Sequence, residues 1–214
     1  MSQPTFIGTC SLCGKSFTRA SITNHVKSCA AAPQPPGQSF HLFVEARHDK
    51  TYWMHLAVPV EAGLYTVDAF LRGIWVECCG HLSAFRIAGE NYNSDYEESE
   101  DPGMDVELSR ILEPGMKFSY EYDFGSTTAL NLKVLGTRDS GTPEDDVQLL
   151  ARNDAPAVAC QRCGSRPATQ ICADCVNRGK GWLCESCAKA HECGTEMCLP
   201  VVNSPRAGVC GYGG

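Results

Sequence analysis

Fourteen cysteines and six histidines are the residues of this 214-residue chain with the most definite chemical potential. Eight of the cysteines stand two apart in pairs: Cys10 with Cys13, Cys160 with Cys163, Cys172 with Cys175, and Cys184 with Cys187. That is the spacing of a metal knuckle. The competing chemistry is a disulfide framework, which belongs to exported domains. The N-terminal residues MSQPTFIGTCSLCGKS lack a basic segment followed by an apolar one, so no secretory signal is expected. Metal ligation and a cytoplasmic location are therefore the expectations, and zinc is the metal that thiolate and imidazole ligands favour.

Cys10 and Cys13 are followed, after eleven residues, by His25 and Cys29. A tetrahedral ion needs four ligands from two rigid elements. A tight turn supplies one pair, and one face of a helix supplies the other at i and i+4. Phe17 and Ile22 lie between the pairs, where a miniature core belongs. The segment CSLCGKSFTRASITNHVKSC resembles the C2H2 zinc finger, with Cys29 in place of the last histidine and a slightly shorter spacing. One such finger reads only about three base pairs, which favours protein binding or a structural role. Lys15, Arg19 and Lys27 leave nucleic-acid contact as the alternative.

Near the other end, three C-x2-C pairs recur at equal gaps of eight residues, followed by His191, Cys193, Cys198 and Cys210. Regular pairs plus a histidine supply ligands for two ions, so about three zinc ions per chain are expected. The segment CQRCGSRPATQICADCVNRGKGWLCESCAKAH is similar to B-box and related cross-brace zinc domains, in which alternate pairs share a metal. That similarity implies one site of Cys160, Cys163, Cys184 and Cys187. It implies a second of Cys172, Cys175 and His191, completed by Cys193, Cys198 or Cys210. Thiolate-rich four-ligand sites are closed and structural, whereas catalytic zinc keeps an open position.

Three further groups are candidates for chemistry. Cys78, Cys79 and His81 could bind metal or supply a reactive thiol, but the favoured reading packs Cys78 on a helix face and starts a strand at His81. Asp123, Gly125 and Ser126 in YDFGST suit a strand-end cap, with Gly125 in a turn conformation. The acidic stretch Asp95 to Asp105 lacks the glycine and glutamate placement of a calcium loop and reads as solvated.

The elements that must position these groups follow from periodicity. FHLFVEA (40–46) and TYWMHLAVPV (51–60) read as strands. A helix capped by Thr66 carries Val67, Phe70, Leu71, Ile74, Trp75 and Cys78 at 3–4 residue spacing and stops at Gly80. HLSAFRIAGENY (81–92) reads as one strand, VELSRILEPG as a helical turn, and KFSYEYDF and TALNLKVLG as strands of period two. A short helix is expected around Pro143–Arg152. The order implies an α+β fold, a β-grasp-like mixed sheet with one main helix, plus small zinc-binding modules at both termini. The expected domains are a finger over 1–31, a proline-rich linker over 32–38, the α+β domain over 39–157 and the cysteine-rich module over 158–214.

WVECCGHLSAFRIAGENY followed by KFSYEYDFGSTTALNLKVLG resembles the plasmid pRiA4b ORF-3-like family over roughly residues 38–136. The shared features are a Trp-bearing helix leading into HLSAF, a later Tyr, and a YDFG strand end before a closing strand. The resemblance implies a small α+β domain and brings no established activity. Where family members often carry an Asp-x-Trp and a His, this chain has Ser126, Thr127 and Thr128.

The net charge of −7 is unevenly spread. Residues 1–31 hold three basic residues and no acid, while residues 32–159 hold nine basic against 21 acidic residues. An acidic middle repels phosphates, so any nucleic-acid contact is assigned to the ends. No catalytic set is complete. The expected function is a non-enzymatic zinc adaptor or scaffold with a protein partner. The alternative is a nucleic-acid-binding protein acting through its zinc modules, related to mobile elements. No membrane association is expected.

Overall fold

The computed structural model describes residues 7–29, 35–95, 101–143 and 146–214. The chain forms two compact units: residues 1–72 with 82–154, and residues 73–81 with 155–214.

The first unit contains β1 (Ile7–Cys10), β2 (Ser16–Thr18), α1 (Arg19–Ser28), β3 (Ser39–Ala46), β4 (Trp53–Pro59) and α2 (Leu64–Leu71). It continues with β5 (Ser83–Ile87), β6 (Glu90–Asn93), α3 (Leu108–Ile111), β7 (Lys117–Tyr122), β8 (Thr128–Arg138) and β9 (Gln148–Asn153). Nine strands join in one sheet in the order β2-β1-β9-β4-β3-β8-β7-β5-β6. The mixed sheet expected from the sequence is corrected: every strand pairing in this sheet is antiparallel. The α+β character stands.

The core follows from alternation. Phe118, Tyr120 and Tyr122 of β7 share one face with Leu130, Leu132 and Val134 of β8, and all six are buried. Leu42 and Val44 of β3 and Met54, Leu56 and Val58 of β4 continue it. Under this sheet Asp68 of α2 accepts hydrogen bonds from Ser83 Oγ at 2.7 Å, Tyr120 OH at 2.8 Å and Arg72 Nε at 2.7 Å. A buried carboxylate is tolerated when its lone pairs are met in this way.

Several local expectations are revised. The helix begins at Leu64, one turn's start before Thr66, with Gly63 as its cap, and widens into a π-turn over Arg72–Val76. The stretch 81–92 is a hairpin, because Ala88 and Gly89 both take positive φ and reverse the chain between β5 and β6. The helix expected around Pro143–Arg152 is β9 instead over Gln148–Asn153; Leu150 and Ala151 bury against β4 and β1, so pairing overrides helix propensity. Of the acidic stretch Asp95 to Asp105, residues 96–100 lie outside the described residues.

The hairpin of the finger is part of the sheet. Gly8, Thr9 and Cys10 of β1 pair with Asn153, Arg152 and Ala151 of β9. Gly8 permits this approach, since a Cβ there would overlap the Arg152 carbonyl oxygen and the Trp53 ring. Ile22 and Val26 of α1 are fully buried in one cluster with Trp53, Ala57, Leu150 and Ala151. A boundary was expected after residue 31; residues on both sides of it share one hydrophobic core.

The second unit is built on short elements: β10 (Gln170–Cys172), β11 (Trp182–Leu183), α4 (Glu185–Lys189) and β12 (Cys198–Pro200), with β10 central in a three-stranded antiparallel sheet. One of its core clusters is made largely of cysteines, Cys160, Cys172 and Cys184 among them, with Leu183 and Ala188; Trp75, Val76, Ile171 and Tyr212 are buried in the same unit. A bound metal ion is able to support a cysteine-lined cluster of this kind. Among the described residues no helix is long and apolar enough to cross a membrane.

Candidate metal centres

Among the described residues, four groups of four cysteine or histidine side chains converge, each with its ligand atoms within 4.8 Å of one another.

The first unites Cys10, Cys13, His25 and Cys29. The turn after β1 is closed by Gly14 N–H donating to the Cys10 carbonyl at 2.8 Å, with Gly14 at φ +70°. It presents two thiols to α1, whose start is capped by the Thr18 hydroxyl accepting from Ser21 N–H. His25 and Cys29 stand one helical turn apart at the other end of α1. Cys13 Sγ lies 3.3 Å from His25 Nε2, and Cys10 Sγ 4.0 Å from Cys29 Sγ. Phe17 stacks on the His25 ring with centroids 4.0 Å apart, fixing its orientation.

The second unites Cys160, Cys163, Cys184 and Cys187, and the third Cys172, Cys175, His191 and Cys193. The turn at Cys160 repeats the geometry at Cys10: Gly164 N–H donates to the Cys160 carbonyl at 2.8 Å. Cys163 and Cys184 sulfurs lie 3.9 Å apart, and Cys175 and Cys193 sulfurs 3.6 Å apart. Of the three cysteines open as fourth ligand to the third group, the structure brings Cys193. Cys198 stays outside the group and directs its thiol at the Gly194 carbonyl, 3.7 Å away. Cys210 goes elsewhere.

The fourth group is Cys78, Cys79, His81 and Cys210. It replaces the expectation that Cys78 packs on the helix face and His81 opens a strand. The helix has ended at Val76, and β5 begins only at Ser83, so residues 77–82 are free to turn. Residues 73–81 belong with 155–214 in one compact unit. Four groups therefore stand where about three sites were expected. The available signal was the histidine two residues after adjacent cysteines; the missing ligand lay 129 positions away from it.

The electrostatics of these groups favour a cation. Burial pushes the Cys10 thiol up to about 11, while the Lys15 backbone N–H holds Cys13 low. A hydrogen bond from Ser165 pulls Cys163 down to about 5, and hydrogen bonding with Cys184 pushes Cys187 up to about 12. Cys193, beside Cys175, is likewise pushed up to about 12. Packed thiols cannot all ionise beside one another, and a divalent ion at their centre removes that repulsion. His191 supplies an independent fit: its Nε2 is buried with no hydrogen-bond partner, as a ligand nitrogen would be. Zinc suits these donor sets.

The remaining candidates are structural in geometry. Asp123 closes the strand end by accepting from Gly125 N–H at 3.0 Å and Ser126 N–H at 3.1 Å. The left-handed residue of that turn is Asp123 itself, φ +63°, rather than Gly125. A polar cavity of about 400 Å³ in the first unit is lined by Lys27, His41, Arg138 and Asp139 among others. Of the three basic residues expected to reach nucleic acid, Arg19 is engaged internally: it pairs with Glu45, donates to the Lys50 carbonyl and lies over the Phe43 ring.

No family model matches the chain, and no curated protein matches it. Among solved structures it is similar to a protein of unknown function from Methanosarcina mazei Go1, at 15% identity and a TM-score of 0.42, over 48% of this chain and 61% of that one. The chain thus matches about three fifths of that protein's length.

Proposed function

We propose that this chain is a non-enzymatic zinc protein, an adaptor or scaffold that presents surfaces of two metal-supported units to a protein partner. One observation carries the reading: each metal group offers four protein ligands, three or four of them thiols. Four such ligands fill a tetrahedral ion, leave no position for a water or substrate, and donate so much charge that the metal is a poor Lewis acid. The family resemblance of residues 38–136 is part of the same proposal. Its two signature stretches meet in space, with Ser83 of HLSAF opposite Tyr122 of YDFG across β5 and β7.

The test is spectroscopic. Replace zinc by Co2+ in the full chain and record the thiolate-to-metal bands while adding azide or cyanide. The bands should not move, because closed sites have no place for an added ligand. Bands that shift with the anion reveal an open position and overturn the non-catalytic reading.

Nucleic-acid binding through the finger remains the second reading, favoured by Lys15 and Lys27, which are exposed. Binding of the zinc-loaded chain to random RNA and DNA pools over a salt series separates the two. Salt-sensitive binding lost in Lys15→Ala/Lys27→Ala replaces the adaptor reading with this one; no binding at low salt removes it.

A further inference from the structure

The cluster at Cys78, Cys79, His81 and Cys210 differs from the other three. It has no knuckle spacing, and none of its ligands is buried, Cys79 and Cys210 being exposed. Its atoms nonetheless converge. Cys79 Sγ is 3.1 Å from His81 Nε2 and 3.8 Å from Cys210 Sγ; His81 Nε2 is 3.4 Å from Cys210 Sγ; Cys78 and Cys79 sulfurs are 3.5 Å apart.

Two features beyond proximity point to a metal. The first is backbone shape. Gly80, at φ +76°, turns the chain so that His81 returns toward the cysteines, and its N–H is held by Glu77 Oε1 at 2.6 Å. Cys210 sits at φ +50°, ψ +34°, a left-handed conformation that a non-glycine residue adopts only when its surroundings impose it. Around it Gly208 N–H donates to the Tyr212 carbonyl and Tyr212 N–H to the Val209 carbonyl, each at 2.9 Å. That tight loop holds the Cys210 thiol out toward the other three.

The second feature is a buried cation. Arg206 is fully buried and places Nη2 3.4 Å from Cys78 Sγ. A guanidinium in such a place needs negative charge nearby. Three thiolates and one neutral imidazole around a divalent ion carry a net charge of −1, which one arginine balances. The segment bearing Arg206 is itself tied down, since Ser204 Oγ donates to the Trp75 carbonyl at 2.6 Å and accepts from Arg206 N–H at 2.9 Å.

We propose that Cys78, Cys79, His81 and Cys210 form a fourth zinc site, a clasp closing the segment 204–212 onto the residues after the π-turn, with the most readily exchanged metal of the chain. The proposal rests on the reading of the other three groups as zinc sites. Its lability follows from exposure: a chelator reaches an ion through its uncovered ligands, and the other groups each bury at least one cysteine.

The experiment uses the full chain loaded with 113Cd2+ and, in parallel, with Zn2+. Four cadmium resonances are expected, one in the range of four sulfur ligands and three in the range of three sulfurs and one nitrogen. Cys210→Ser should remove one resonance of the latter kind, leave the other three in place and lower the zinc content from four ions to three. It should also abolish the first phase of zinc release to a chelator. His81→Ala should do the same by a different ligand, guarding against a folding defect peculiar to one variant. Three resonances in the unmodified chain, unchanged in both variants, overturn the fourth site and leave the other three intact. A mass lower by two hydrogens, from a bond between two of these cysteines, overturns it as well. Absence of all resonances overturns the zinc reading of the whole chain.

Discussion

His41 Nε2 lies 2.9 Å from His55 Nδ1 across β3 and β4, and both side chains are almost wholly buried. Thr23 of α1 adds a contact of 3.3 Å to His55 Nε2, so the finger helix covers the pair. One ring must donate and the other accept, which neutral imidazoles do and two imidazolium ions cannot.

The pair makes stability depend on pH. Burial, with Arg138 and Lys27 nearby, holds His41 down at about 4; burial, with His41, Arg19 and Lys27, holds His55 at about 3. Unfolded histidine titrates at about 6.5, so as pH falls the unfolded chain takes up protons first. Stability is therefore complete above about pH 6.5 and declines as the pH falls from there toward about pH 3. Acid also strips zinc from thiolates, so the check is local. NMR resonances of both rings should stay at neutral positions from pH 8 to pH 5; a midpoint near 6.5 in either would contradict the pairing.

Asp68 of α2 gathers three donors, from the π-turn, β5 and β7. Asp68→Ala removes the shared acceptor of Ser83, Tyr120 and Arg72 at once, and should cost about 3–5 kcal/mol. Asp68→Asn, which keeps one acceptor oxygen, should cost less. Chemical denaturation of the zinc-loaded chain measures both; a loss below about 1 kcal/mol in the alanine variant would show that the hub is not structural.

Gly8 tests the joining of the finger to the sheet. Gly8→Ala drives a methyl into the Arg152 carbonyl and the Trp53 ring, and should destabilise the first unit by about 1–3 kcal/mol. Faster amide exchange at Ser11, whose N–H donates to the Leu150 carbonyl of β9 at 2.9 Å, should accompany the loss. A neutral substitution would mean that β1 does not lie on β9.

Cys163→Ser removes one ligand of the Cys160–Cys187 group. Cysteines make up most of the core cluster around that group, so protease cleavage should appear between residues 160 and 200 and zinc content should fall. An unchanged digestion pattern would count against metal as the support of that unit.

What the sequence disclosed depended on separation along the chain. The ligands of the first three groups lie within about thirty residues of each other, so local spacing brings Cys10 with His25 and Cys172 with His191 into view. Cys210 and His81 are 129 residues apart, and no local pattern joins them. The same limit explains β9. QLLARN suits a helix by propensity, and only the partners β4 and β1, far away in sequence, make it a strand. The hairpin at Ala88–Gly89 escaped for a smaller reason: AGE is a weak turn signal inside an otherwise strand-like run.

The pairing of β1 with β9 has a consequence for how the protein is made. Ile7–Cys10 leaves the ribosome about 140 residues ahead of the strand it must join, and sheets closed over such distances form late. During that interval the β1 edge is a template for pairing with other chains. Zinc bound early by Cys10, Cys13, His25 and Cys29 would fold the hairpin against α1 before its partner exists. In the nascent chain the metal would then act as a guard on an unfinished sheet, and zinc scarcity would first be felt as aggregation of new protein.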